Sequence, residues 1–206
     1  MISANLAEDI LRHAWEHLLL VLISLAVAAA IAVPVGILMT RRARLRRWGM
    51  AFASVAQTVP SLALFGFLIP IPVVGGIGER TAIVALVLYA LLPILRNTLV
   101  GILGVDAAVR ESAVAMGMTG SELLWKVELP LSLRTILAGV RTATVTTIGT
   151  ATIASAIGGG GLGVLIFRGI SMFDSGQILA GAVPAALLAL MADAALGRVE
   201  RRFVAA

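Results

Sequence analysis

"ESAVAMGMTGSELLWKVELP", residues 111–130, is the stretch on which the fold turns. Its Glu111, Glu122, Lys126 and Glu128 interrupt a chain that is 60% hydrophobic, and the interruption stops at a proline. Charges at this density are costly in hydrocarbon, so the segment is expected outside the bilayer. Its local pattern is helix, turn, helix. "DAAVRESAVAM" (106–116) consists of good helix formers, with Ala108, Ser112 and Ala115 on a small-residue face. Gly117 follows as a stop, because glycine accepts the left-handed backbone at a helix end. Thr119 and Glu122 then have the spacing of a capping box. A second short helix is expected to about Glu128, with Leu123, Leu124, Trp125 and Val127 giving it an apolar surface, and to end where Pro130 opens the next span. A helix this short is marginal unless something packs on it, so a protein partner is expected over Leu124 and Trp125; a surface of lipid headgroups is the alternative.

On either side the chain is too apolar for a soluble domain. Mean hydropathy is +1.04 with 13% charged residues, against roughly a quarter charged in soluble proteins. Each span needs about 20 apolar residues, so 206 residues hold about five. The apolar runs are about 15–39, 50–71, 82–104, 133–157 and 177–197, in one transmembrane domain over 1–206 with the polar segment at 105–132. The expectation is an all-α polytopic membrane protein. Pro34, Pro60, Pro93 and Pro184 fall inside these runs, where a membrane bundle can accommodate them. The first run is too long for a signal-peptide core and is read as a retained span.

Orientation follows from short-loop arginines. "RRARLRRWG" (41–49) carries Arg41, Arg42, Arg44, Arg46 and Arg47, and "GRVERRF" (197–203) carries Arg198, Arg201 and Arg202. Both are expected in the cytoplasm, which places the amino terminus outside, the carboxyl terminus inside, and 105–132 on the cytoplasmic side with Arg110 and Lys126. Only Arg12, Arg80 and Arg168 fall in the outer segments.

The polar segment resembles the cytoplasmic signature loop of bacterial ABC-importer permeases: Glu-Ala-Ala, three residues, Gly, nine residues, Ile, one residue, Leu-Pro. Here it reads Glu111-Ser112-Ala113, Gly117, then Val127, Leu129 and Pro130, with Ser112 for Ala and Val127 for Ile as the two departures. The resemblance implies a type I importer permease fold, a loop that docks on a cytoplasmic ATP-binding subunit, solute delivery by an extracytoplasmic binding protein, and residence in the bacterial inner membrane. "QTVPSLALFGFLIPIPVVGGIG" (57–78) and "LLPILRNTLVGI" (91–102) are similar, more narrowly, to permeases for osmoprotectants such as glycine betaine, choline and carnitine. Another small solute such as an amino acid, or a secondary transporter or channel subunit, is the alternative. Five spans give little wall for a gated path, so a homodimer or a pairing with a similar chain is expected.

No G-x-x-x-x-G-K-[ST] run exists, so this chain is not expected to cradle ATP phosphates or to act as an enzyme. "HAWEH" (13–17) fits a zinc-hydrolase pattern, but the two histidines are read as interfacial residues where the first span meets the headgroups. "GGGGLG" (158–163) fits G-x-G-x-x-G without a preceding strand and is read as a tight outer loop or re-entrant turn. No metal, cofactor or nucleic-acid partner is indicated. Absence of cysteine excludes a thiol nucleophile. An intramembrane hydrolase is disfavoured by the lack of a G-x-S-x-G elbow and of a histidine within a span.

Candidates for the translocation path are polar residues inside the runs, which should face protein or water. Thr142, Thr146 and Thr150 recur every four residues on one face of the fourth span and are assigned to the path or to a dimer seam, although threonine hydroxyls can also bond their own helix. Gln57, Thr58 and Ser61 around Pro60, and Tyr89 on the third span, are further candidates. Arg96 and Arg141 are expected to snorkel, with an ion pair from one of them to Asp193 as the sharper idea. Trp15, Trp48 and Trp125 lie near boundaries or in the loop, so a tight aromatic cage for a quaternary amine inside the spans is not expected, and high affinity should come from the external protein.

Overall fold

The first apolar run forms one helix, α1 (Ala4–Arg41), in the computed structural model, which describes residues 4–72 and 74–203. Its 38 residues would extend ~57 Å at 1.5 Å per residue, longer than a ~30 Å hydrocarbon core, so the helix begins well before the apolar run itself. Leu20, Val21, Ser24, Leu25, Ala28 and Ala32 make its buried stripe at three- and four-residue spacing. That stripe packs on α4 (Glu79–Leu103), the central helix of the bundle. α4 is buried from Thr81 to Ile102 through small and branched residues, among them Ala82, Ala85, Ala90 and Ile94. On its other side lies α7 (Leu129–Ala154).

Helix association in lipid lacks the hydrophobic drive that water supplies, so close backbone packing must replace it. Two glycines make that possible. A Cβ on Gly139 would stand 2.5 Å from Asn97 Cβ and 2.8 Å from the Pro93 carbonyl, so α7 meets α4 backbone to backbone. A Cβ on Gly181 would stand 2.7 Å from the Leu162 carbonyl, which brings α9 (Ser175–Arg202) against α8 (Gly163–Met172). α9 also packs along α7.

Three expectations are corrected. The run at 50–71 is not a continuous span: α2 (Ala43–Thr58) and α3 (Ser61–Leu68) are bent by 106° at Val59 and Pro60. Val59 is extended at φ −65°, ψ 129°, because the residue before a proline is pushed out of the helical region. The segment after residue 157, expected as a tight loop or re-entrant turn, is more than that. It contains α8, ten residues that begin directly after the glycines. Pro130 does not end a short helix. α5 (Ala107–Ala115) and α6 (Gly120–Leu123) form as a helix–turn–helix, but α6 runs through a π-turn at Leu124–Glu128 straight into α7. In that wider turn Leu129 N–H bonds the Leu124 carbonyl, five residues back. The widening accommodates Pro130, which has no N–H to give and whose ring would crowd an ordinary helical turn.

Among the described residues four helices are long and apolar enough to cross a membrane, namely α1, α4, the continuous α6–α7 and α9, and the bent α2–α3 pair makes a fifth. The protein is all-α, with about five membrane helices.

Candidate functional site

The polar segment is built by local hydrogen bonds. Asp106 caps α5 by accepting from Ala108 N–H at 2.9 Å. At the other end of α5, Gly117 N–H bonds the Val114 carbonyl at 2.9 Å and Met118 N–H bonds the Ala113 carbonyl at 3.2 Å, which is a Schellman closure. Gly117 is left-handed at φ +86°, as that closure requires. Thr119 and Glu122 exchange bonds across the start of α6: Thr119 N–H donates to Glu122 Oε2 at 3.0 Å and Glu122 N–H donates to Thr119 Oγ1 at 3.3 Å. Lys126 holds the same carboxylate at 2.9 Å.

The two arms of this turn enclose a shallow cavity of about 330 Å³, lined by Ala108, Ser112 and Ala113 of α5 with Met116, Met118 and Val127. Around it the surface is apolar and bare: Met116 is 72% exposed and Trp125 67%. Of the residues singled out from sequence, Ser112, Ala113 and Val127 meet in the cavity, Gly117 makes the turn, and Glu111 stands on the exposed side of α5. Leu129 and Pro130 begin α7, with Pro130 exposed.

Glu128 behaves differently from the other charges of the segment. Its side chain is fully buried and pairs with Arg41 at the end of α1 and with Arg110 Nε of α5 at 3.3 Å. Arg110 also donates to the Ile102 carbonyl near the end of α4. Nothing in the sequence distinguishes Glu128 from its neighbours except that it continues the buried face of α7, four residues before Ser132 and eight before Ile136.

The path candidates fall into two groups. Gln57, Thr58 and Ser61 flank the α2–α3 elbow, and Tyr89 of α4 donates its hydroxyl to the Val59 carbonyl, the group exposed by the break. Thr58 donates to the Val55 carbonyl at 2.8 Å. The threonine face lies on α7, and its hydroxyls do return to their own helix: Thr142 to Ala138, Thr146 to Thr142 and Thr150 to Thr146, at 2.9–3.0 Å. Thr142 and Thr146 border a cleft of about 430 Å³ between α7 and α9, while Thr150 is not among the residues lining it. The same cleft holds Arg141, which does not snorkel. It makes a two-pronged pair with Asp193 at 2.7 Å on each side and a third contact to Glu200 at 3.3 Å.

At the opposite end of the bundle Glu16 accepts from Gly161 N–H at 3.2 Å and from His13 at 2.9 Å, and Arg168 lies 3.9 Å from Asp9. His17 faces protein, and as part of α1 it is a histidine within a membrane-length helix, contrary to the expectation that the spans hold none. It is fully buried, within α1, and its Nε2 donates to the Ile148 carbonyl at 3.1 Å. Gly160 and Gly161 lie against Glu16 and His17 of α1, Gly158 lies against Ile77 and Gly78, and all three are left-handed.

Comparisons with known proteins identify the family and the fold. Residues 32–205 match the family described as binding-protein-dependent transport system inner membrane component. The chain is 46% identical over 195 residues to the carnitine transport permease protein OpuCB of Listeria monocytogenes, covering 95% of this chain and 88% of that one. It is 44% identical to the glycine betaine/carnitine/choline transport system permease protein OpuCB of Bacillus subtilis, covering 94% and 88%. Among solved structures it is similar to a chain of the inward-facing MetNI methionine ABC transporter, with a TM-score of 0.88 and 26% identity over 98% of this chain and 99% of that one. The chain thus belongs to the binding-protein-dependent inner membrane components, the permease subunits of ATP-binding-cassette importers.

Proposed function

We propose that this permease moves a quaternary-amine osmoprotectant, such as glycine betaine, choline or carnitine, inward across the membrane, with its amino terminus outside and its carboxyl terminus in the cytoplasm. Family membership brings an ATPase and a binding protein as partners. In this reading residues 111–130 receive the ATPase, two permease chains enclose the path, and Gln57, Thr58, Ser61, Tyr89, Thr142, Thr146 and Thr150 border it. The observation that carries the docking role is the bare apolar rim around the α5–α6 cavity, mounted on a helix that continues without a break into the bundle. A push on that rim reaches α7 directly.

The ion pairs support the grouping that this orientation needs, while the choice of the cytoplasmic side rests on loop charge. Arg41, Arg110 and Glu128 bring the end of α1 to the helix–turn–helix, and Arg134 Nε lies 3.7 Å from Glu200 near the end of α9. The basic stretch after α1, the helix–turn–helix and the carboxyl end therefore share one side, as the arginine bias requires. The substrate class rests on relatives named for carnitine, choline and glycine betaine, similar over nearly the whole chain. Uptake by vesicles holding the complete complex, offered glycine betaine, choline, carnitine and a set of amino acids, tests it. Uptake of one or more quaternary amines is the expected result, and uptake of an amino acid alone would overturn it.

A further inference from the structure

We propose that Glu128 is a positioning residue for transport: a buried carboxylate that clasps the docking segment to α1 and α4, so that movement of the segment becomes movement of the bundle. The proposal rests on the reading of residues 111–130 as the ATPase docking segment.

The first ground is burial. Glu128 has no exposed surface, yet it sits in a segment whose other charged side chains face water. A buried ion pair is a weak source of stability, since apolar replacements of similar volume are often as stable, whereas removal of one partner leaves a charge stranded. A buried carboxylate with two arginines is therefore poorly explained by stability alone.

The second ground is what the carboxylate joins. Arg41 is the last residue of α1, and Arg110 stands in the first turn of α5, with a further bond to the Ile102 carbonyl of α4. Glu128 thus ties the end of α1 to both arms of the helix–turn–helix, and Arg110 carries the link on to the end of α4. The Arg41 side chain is 49% exposed, so the clasp lies at the edge of the protein, between the docking rim and the bundle.

The third ground is the backbone that aims Glu128. Leu123 and Glu128 are both buried although they are five residues apart. At about 100° per residue, five positions of a regular α-helix would leave them ~140° apart, on different faces. The π-turn at Leu124–Glu128 absorbs that mismatch: Leu123 keeps its place under the docking rim while Glu128 joins the inward face of α7 with Ser132, Ile136 and Gly139. Single π-turns inside α-helices recur at functional positions because they re-aim side chains in this way.

The expected behaviour is a loss of coupling rather than a loss of assembly. The test uses the complete complex in proteoliposomes and reads three quantities: recovery of the ATPase with the permease, ATP hydrolysis, and solute taken up per ATP hydrolysed. In Glu128→Gln the ATPase should still be recovered, and uptake per ATP should fall about ten-fold, within the range by which residues along a coupling route alter coupling. Arg41→Gln, at a half-exposed position where folding is less at risk, should fall in the same direction. Arg41→Lys should retain most of the coupling, and the Glu128→Gln/Arg41→Gln double variant should be no worse than the poorer single, because both act through one contact. Uptake per ATP equal to wild type in the assembled Arg41→Gln and Glu128→Gln complexes would overturn the clasp. So would double-variant losses that simply add. Should the unmodified permease fail to retain the ATPase while variants of Glu111 and Gly117 transport normally, the docking assignment would fall and the clasp with it.

Discussion

At the scale of single residues, Gly117 and Gly139 show two different reasons for a glycine. Gly117 has open space where a Cβ would go but stands at φ +86°, so its constraint is conformational. Gly117→Val asks a β-branched residue to hold a left-handed backbone, at a cost of order 1–2 kcal/mol that the exposed turn can relieve by changing shape. Normal membrane insertion with uptake reduced several-fold is the predicted outcome, read by quantifying the protein in membranes alongside transport. Gly139 has an ordinary backbone and no space. A Gly139→Leu side chain would have to part α4 from α7, and overpacking of this kind costs about 1–3 kcal/mol. The measurement is thermal stability of the detergent-solubilised permease, which should fall clearly for Gly139→Leu and remain near wild type for Gly117→Val.

At the scale of elements, what was legible depended on how local the cause is. The Schellman closure at Gly117 and the capping box between Thr119 and Glu122 are decided by residues within one turn, and the sequence shows both. The break at Pro60 was not legible: Pro34, Pro93 and Pro184 lie in equally apolar runs yet stay inside helices, so neighbouring helices decide the outcome. An ion pair to Asp193 could be anticipated from the intramembrane charges, but its partner lies 52 positions away, and no periodicity of α7 or α9 selects Arg141 over Arg96. Likewise α8 was hidden because its ten residues are too few to register as a span. The pair has a testable consequence: Arg141→Ala and Asp193→Ala should each loosen α9 from α7 and lower stability, while the double variant should be more stable than the poorer single, since it leaves neither member of the pair unmatched and Glu200 keeps Arg134. If the three losses merely add, the pair does not fasten the two helices. Topology is tested at the same scale, because the chain has no native cysteine. A cysteine at Ser175 should react with an impermeant reagent from outside intact cells and one at Ala43 should not; the reverse pattern would invert the orientation.

At the scale of the whole molecule, the protein is a multi-pass inner-membrane permease whose chemistry is mechanical. Its described residues include no cluster of three or more potential metal ligands. Recognition of a quaternary amine needs aromatic faces, since cation–π attraction contributes about 0.5–2 kcal/mol as the cation sheds water. Tyr89 is the chain's one tyrosine and its hydroxyl is committed to the Val59 carbonyl, while Trp15, Trp48 and Trp125 are exposed on the exterior. Calorimetry with glycine betaine on the solubilised permease alone should therefore show only weak binding; micromolar binding lost in Tyr89→Ala would place recognition within the membrane. The central claim is that this chain is driven through its docking segment and supplied from outside. Its most direct measurement is glycine betaine uptake into proteoliposomes containing permease, ATPase and binding protein, with ATP or the binding protein left out in turn. Loss of uptake in each omission is the predicted result, and uptake that persists without ATP, driven by an ion gradient, would contradict it.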